Sequence, residues 1–164
     1  MATGGAVREA LALLDQGFSA RAWHGPNLMY SIRRVTPEEA GYLPRPGGKT
    51  IADYVVHCAY WKYAVWRRLT GAKRGTFSRE GSNWFDLPRP VTEKAWKEYV
   101  GLLQDEHARL RAVVAGLKEA EMKRIPEGGK ASRSALIRGI AMHDVYHAGQ
   151  IQLIKALVRK GGAS

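Results

Sequence analysis

Apolar residues recur at intervals of three and four along four segments of the chain, which is the spacing of one face of an α-helix. The four segments are 7–18, 51–69, 93–117 and a last one from 132 or 134 to 160. No segment alternates apolar and polar residues over the length of a strand. We therefore expect an all-α fold, a helix bundle in which long connections allow at least one crossover.

Local signals place the ends of these helices. Thr50 and Thr92 are suitable N-caps, and Gly71 is a suitable stop for the second long helix. A shorter helix is predicted from Pro26 to about Arg34, because proline suits the first position of a helix. A single helical turn is predicted to follow at 36–39, before the Pro- and Gly-rich stretch 44–48.

The connection 71–91 is long and rich in Gly, Pro, Ser and Arg. It contains Trp84 and Phe85, two large apolar side chains that we expect to pin it to the helices. A connection of this length is usually functional or ordered by a partner. The sequence leaves open whether it covers a pocket or contacts a second subunit.

Size and composition favour an ordinary globular protein. The chain has 164 residues, which fits one domain over 1–164, and 45% of them are hydrophobic. A single cysteine, Cys58, excludes an intramolecular disulfide and fits a reducing compartment. No apolar run is long enough to span a membrane, and charged residues near the start argue against a signal peptide. We therefore expect a soluble, cytoplasmic protein without a membrane partner.

The net charge of +11 raises the question of a polyanionic partner. The excess is spread evenly, with +6 in residues 1–82 and +5 in residues 83–164, and the longest basic runs are pairs. This distribution favours a generally basic, solvated surface, and we expect no nucleic-acid partner. A basic, non-catalytic binding protein remains an alternative interpretation, which predicts binding that weakens steeply with salt.

Two histidines interrupt the apolar face of the last helix. The predicted buried stripe is Leu136, Ile140, His143, His147, Ile151, Ile154 and Val158. His143 and His147 are four residues apart, so their rings lie one turn apart on the same face. A buried polar group without a partner costs about 1–3 kcal/mol. A divalent metal ion would satisfy both rings at once.

A third ligand is available on the second long helix. His57 lies there on a core-like face with Tyr54, Trp61 and Ala64. Three histidine ligands leave coordination positions open, as in catalytic zinc sites, and imidazole also suits nickel, iron and cobalt. The alternative is three hydrogen-bonded core histidines, because periodicity does not establish that the two helices face each other.

Several residues near these histidines are candidates for catalysis. Asp144 occupies the place of the glutamate in the zincin motif, and acts either as a base or as an exposed or supporting residue. Tyr146 and Gln150 are positioned to bond a ligand or the ring nitrogens, and His24 to line the mouth of a pocket. His107 is interpreted as a rim residue.

Several stretches together resemble the DinB-like superfamily, which includes the DinB and YfiT proteins. They are Trp23-His24-Gly25-Pro26, the helix with His57, the loop 84–88, and the closing His143-x-x-x-His147-x-Gly149-Gln150-Ile151. The resemblance covers about residues 6–158. It implies a four-helix bundle with up-down-down-up topology and a nickel or zinc site, or else an iron site, at His57, His143 and His147. It also implies a homodimer.

The resemblance further implies enzymatic chemistry. Some relatives are thiol-dependent transferases, so we expect S-transfer from a low-molecular-weight thiol to a small electrophile. Basic residues near the mouth, such as Arg33, Arg45 or Arg133, would then hold a carboxylate-bearing thiol. The alternatives are a hydrolase that uses metal-bound hydroxide, and a bundle that binds metal without chemistry. The substrate itself is a small molecule that the sequence does not name.

Overall fold

The computed structural model describes residues 4–161, and this part of the chain contains helices and no strand, as predicted. The α-helices are α1 (Gly5–Phe18), α2 (Leu28–Ile32), α3 (Pro37–Gly41), α4 (Ile51–Thr70), α5 (Glu93–Ala115) and α6 (Arg133–Gly161). A 3₁₀ helix at Glu119–Glu121 precedes α6. None of the described helices is both long and apolar enough to cross a bilayer.

The predicted caps of the long helices are present. The Thr50 hydroxyl accepts a hydrogen bond from the main-chain N–H of Asp53 at 3.2 Å, and the Asp53 carboxylate accepts one from the N–H of Thr50 at 2.8 Å. Thr92 caps α5 by accepting from the N–H of Ala95 at 3.1 Å. Gly71 ends α4 with φ of 73°, a left-handed conformation that favours glycine.

The prediction for α2 was wrong in its bounds. The helix begins at Leu28 and not at Pro26, because the Asn27 side chain caps it by accepting a hydrogen bond from a main-chain N–H of the first turn. It ends at Ile32, and Arg34 has φ of 58°, outside the right-handed helical region. The helix therefore begins after its Asn27 cap, although Pro26 is also compatible with a first helical position.

The four long helices pack in a ring. The most extensive contacts join α4 to α5 and α1 to α6, while contacts of α4 with α6 and of α1 with α5 complete the ring. The helices α1 and α6 approach closely, since a Cβ atom on Gly17 would lie 2.7 Å from the carbonyl oxygen of Ala141. The short α2 lies against α6, and α3 lies against α4.

The core consists of two apolar clusters. The first is built from residues that include Phe18, Leu28, Val55, Ala59, Leu103, Ile151 and Ile154. The second is built from residues that include Val7, Leu14, Val65, Leu69, Leu110, Ile137 and Ile140. On α4, α5 and α6, buried polar residues lie between the two apolar clusters. We call four of them the polar layer: Lys62, Glu106, His107 and Asp144.

The buried face of α6 differs from the predicted stripe. Its buried residues are Ile137, Ile140, Ala141, Asp144, His147, Ala148, Ile151 and Ile154. His143 is half-buried, as are Leu136 and Val158, which the prediction had placed in the core. The predicted stripe omitted Asp144, which is fully buried because Lys62 of α4 neutralises it.

Candidate metal centre

Helices α4 and α6 face each other at three histidines. The Nε2 atom of His57 lies 3.1 Å from that of His143, which in turn lies 3.0 Å from that of His147. One ligand atom of each ring lies within 4.8 Å of the other two. The sequence left the mutual orientation of these helices open, and the structure brings the three predicted residues together.

The loop before α5 orients His57. Its Nδ1 donates a hydrogen bond to the main-chain carbonyl of Asn83 at 2.9 Å. A carbonyl oxygen only accepts, so Nδ1 carries the ring proton and Nε2 presents a lone pair. The side-chain oxygen of Asn83 accepts a second bond from Trp61 Nε1 at 3.0 Å, and Trp84 stacks on the imidazole with ring centroids 3.9 Å apart.

Gln150 orients the ring of His147 through its side chain. The Nδ1 atom of His147 donates to the side-chain oxygen of Gln150 at 2.6 Å, which again leaves the lone pair on Nε2. The amide nitrogen of Gln150 donates to the hydroxyl of Tyr146 at 3.4 Å. Two of the candidate catalytic residues therefore lie beside His147 as its support.

Burial keeps the three rings neutral. It lowers the pKa of His57 to about 4 and the pKa of His143 to about 3, and it also lowers the pKa of His147. The central ring, His143, has a buried Nδ1 without a hydrogen-bond partner among the described residues. At neutral pH the cluster therefore presents neutral imidazoles, which is the form that binds metal.

The hydrogen bonding of the cluster suits a cation at its centre. His57 and His147 use their ring protons on outward bonds, so only His143 has a proton to offer among three converging Nε2 atoms. At least one lone pair therefore faces another without a proton between them. A tetrahedral ion with metal–nitrogen bonds of about 2.0–2.1 Å separates its ligand nitrogens by about 3.3 Å. The observed separations fit a divalent metal after small adjustments.

Comparison with models of protein families identifies the family of this chain. Residues 22–151 match the model of the DinB superfamily. The chain belongs to the DinB superfamily. The matched range includes His57, His143 and His147 and covers most of the chain. No curated protein and no solved structure matches it significantly.

In this DinB-superfamily protein, Asp144 is buried and not exposed. Its carboxylate accepts a hydrogen bond from the ammonium group of Lys62, and both side chains are fully buried. One ligand atom each of Cys58, His143 and Asp144 also lies within 4.8 Å of the others. Its complete burial and its pairing with Lys62 favour a structural role over that of a general base.

Two other histidines lie outside the cluster. His24 is exposed in the loop between α1 and α2 and is not part of the three-histidine group. His107, expected at the rim, is buried on α5, where its ring stacks on Phe18 at a centroid distance of 3.6 Å. The rim prediction was wrong because Phe18 and the polar layer surround this face of α5.

Sequence reasoning missed two supporting residues, Asn83 and Lys62. Asn83 has φ of 64°, and asparagine is enriched in this left-handed region, so its place in a Gly-Ser-Asn turn was a usable signal. Lys62 follows Cys58 by four residues and precedes Val65 by three on a core face. A lysine at such a position signals a buried partner.

A cavity of about 1060 Å³ adjoins His143, the half-buried member of the cluster. It lies between the C-terminal end of α4, the loop 126–131 and the start of α6, and both Trp61 and His143 line it. Arg133, one of the basic residues expected near the mouth, also lines it. Arg33 lines a different cavity beside α2, and Arg45 lies in the loop before α4.

Proposed function

We propose that this protein is a metal-dependent enzyme that holds nickel, zinc or iron with His57, His143 and His147. The observation that carries the proposal is the convergence of three Nε2 atoms while outward hydrogen bonds hold two of the rings. Such outward bonds set the tautomer and the orientation of metal-binding histidines. The partial exposure of His143 beside a cavity supports access by a small molecule.

We further propose thiol-dependent S-transfer to a small electrophile. A bound divalent ion would act as a Lewis acid that favours the thiolate form of a low-molecular-weight thiol near neutral pH. In the reaction the thiol sulfur bonds to the electrophilic carbon, the leaving group departs with its electron pair, and the thiol proton passes to solvent. Asn83 and Gln150 hold the rings, and Trp84 covers His57 from water.

Metal content tests the first proposal. Mass spectrometry of untagged protein should find about one nickel, zinc or iron ion per chain. The triple variant His57→Ala/His143→Ala/His147→Ala should hold none, whereas His24→Ala, which removes an exposed histidine, should hold as much as the native protein. Absence of metal from the native protein, with failed reconstitution, would leave three core histidines and end the proposal.

Thiol dependence tests the proposed reaction. The metal-loaded protein should consume electrophiles only when a low-molecular-weight thiol is present, and His147→Ala should abolish this turnover. Turnover of ester, amide or lactone substrates without a thiol would instead establish the hydrolase alternative. Full thiol-dependent turnover by His147→Ala would contradict a role for the histidine cluster.

We also propose the up-down-down-up topology for α1, α4, α5 and α6. The order of the two core clusters along each helix supports it. On α4 and α5 the first cluster precedes the second along the chain, and on α1 and α6 the order is reversed. Helices that pass through the same two clusters in opposite order run in opposite directions, and the long connection 71–92 allows the crossover.

Finally, we propose that the protein forms a homodimer through α6. This helix carries an exposed apolar stripe at helical spacing, made of Met142, Tyr146, Leu153 and Leu157. An apolar stripe on the surface of a single subunit is a common feature of contact faces. The proposed dimer places this face of α6 against the same face of a second copy, as two-fold symmetry requires.

A further inference from the structure

The cavity beside His143 is lined by an unusual concentration of positive charge. Its cationic residues are Arg67, Arg68, Arg74, Lys130 and Arg133, and Glu127 is the one acidic residue in its lining. The cations come from both sides of the cavity, from the end of α4 and the turn after it, and from the start of α6 and the loop before it. Their side chains thus surround one space instead of following one exposed face.

These charges are mostly unpaired. Among the described residues, only Arg133 of the five is in an ion pair, with Glu121 at 3.7 Å. Its Nε atom is buried without an acceptor. Two arginines elsewhere form close ion pairs, Arg111 with Asp15 at 2.7 Å and Arg159 with Glu39 at 2.6 Å. Uncompensated cations around a cavity raise the local concentration of anions.

Trp61 connects this charge to the histidine cluster. The guanidinium carbon of Arg68 lies 5.9 Å from the centroid of the Trp61 ring, on which it makes a cation–π contact. The same ring lies 6.2 Å from the centroid of His143. The Arg68 guanidinium donates a hydrogen bond to the main-chain carbonyl of Ala64 at 3.2 Å and has no carboxylate partner among the described residues. One indole therefore separates an uncompensated guanidinium from a proposed metal ligand, a span that a small organic molecule covers.

We propose that this cavity binds a small organic anion with two or more carboxylate or phosphate groups, and that this anion is the substrate presented to the histidine cluster. Arginine recognises both groups through paired, charge-assisted hydrogen bonds, and several arginines favour a multiply charged ligand over a singly charged one. The role as substrate rests on the proposed metal-dependent function, whereas binding of the anion does not require the metal.

The volume restricts the ligand to a small molecule. A cavity of about 1060 Å³ is slightly larger than the range of about 300–1,000 Å³ for small-molecule sites. A mixed lining fits an anion with an organic body, because the cavity is lined by apolar residues as well as cations. The apolar residues are Trp61, Val65, Leu136 and Ile140. Their apolar surface contacts the carbon skeleton while the arginines and Lys130 hold its charged groups.

Isothermal titration calorimetry with two probes tests the proposal. Tricarballylate represents the carboxylates and fructose 1,6-bisphosphate the phosphates. We expect saturable binding of at least one probe at one site per chain, and the stronger probe identifies the preferred group. Arg68→Gln/Arg133→Gln should weaken that binding at least tenfold. The control Lys94→Gln/Lys160→Gln, which removes two exposed positive charges outside the cavity lining, should change it less than twofold.

Two further variants keep the result interpretable. Arg68→Gln/Lys130→Gln leaves the Arg133–Glu121 pair intact, so a loss of binding there does not come from misfolding around Arg133. The variant His57→Ala/His147→Ala removes two proposed metal ligands and no residue of the cavity lining, so it should still bind the probe, which separates this proposal from the one about metal. No saturable binding of either probe, or equal weakening by the cavity and control variants, would overturn the proposal.

Discussion

Asn83 holds His57 through its main chain and is itself held through its side chain. The carbonyl oxygen accepts the Nδ1 proton of His57, while the amide oxygen accepts the N–H of Trp61. The residue has φ of 64°, which asparagine tolerates better than most residues. A loop residue thus determines which nitrogen of His57 carries the lone pair.

Replacing this residue should weaken metal binding without removing a ligand. Loss of such supporting bonds lowers metal affinity about 10–100-fold, so we expect Asn83→Ala to lose about tenfold, because alanine disfavours the left-handed backbone and frees the Trp61 N–H. Asn83→Gly, which adopts this backbone readily and keeps the carbonyl, should lose less. Competition with a chromophoric chelator measures both affinities. Native affinity in Asn83→Ala would contradict the role of the loop.

His107 should make the protein sensitive to acid. Burial, together with the nearby positive charge of Lys62, lowers its pKa to about 3. The unfolded chain takes up this proton near pH 6.5, whereas the folded chain resists it to about pH 3, so stability falls as the pH drops through this window. The slope from one such group is at most about 1.4 kcal/mol per pH unit.

A variant isolates the contribution of His107. His107→Phe keeps an aromatic ring against Phe18 and removes the titrating group, so its free energy of unfolding should fall less steeply between pH 6 and pH 4. Urea unfolding of both proteins at pH 7, 6, 5 and 4 provides the comparison. Identical slopes would show that His107 is not the source of the acid sensitivity.

At the level of helices, the polar layer joins α4 to α6 inside the core. Lys62 and Asp144 pair with no exposure to solvent, although charged groups are rarely found fully buried. Breaking such a pair by removing one partner costs about 3–5 kcal/mol, whereas replacing both with apolar residues of similar volume is often neutral. We therefore expect the pair to contribute to the specific packing of the two helices more than to net stability.

In denaturant unfolding, substitutions of Lys62 and Asp144 should have strongly non-additive effects on the free energy of unfolding. Asp144→Leu should lower the free energy of unfolding by about 3–5 kcal/mol, because it leaves the Lys62 ammonium unpaired. Lys62→Met/Asp144→Leu should recover most of that loss. The exposed pair of Lys97 with Glu93 is a control, and Lys97→Ala should cost less than about 1 kcal/mol. Additive effects of the two buried changes would contradict the coupling.

For the molecule as a whole, the proposed homodimer depends on the exposed stripe of α6. Light scattering after size exclusion should give twice the chain mass of 18.2 kDa at micromolar concentration. Met142→Asp/Leu153→Asp should give the monomer, because charges in an apolar contact are costly to bury. Leu43→Asp, at an exposed apolar position outside the stripe, should remain dimeric. A monomeric native protein would refute the proposal.

Folding also concentrates part of the positive charge of the molecule around one cavity. Residues 1–82 and 83–164 contribute similarly to the net charge of +11, and the sequence therefore suggests a diffuse surface. Folding brings the end of α4 and the start of α6 together, so that Arg67, Arg68 and Arg133 line one cavity. Even spacing along a chain does not imply even spacing in space.

Local patterns in the sequence predicted the helices, most of their ends and the three histidines. Periodicity and capping involve residues within a few positions of each other, so the caps at Thr50 and Thr92 were predictable. The structure showed that α4 and α6 face each other, and it gave His57 a partner 26 residues away and Asp144 one 82 residues away. Those pairings depend on how the helices pack, because contacts between distant residues form only when the burial of apolar faces brings their backbones together.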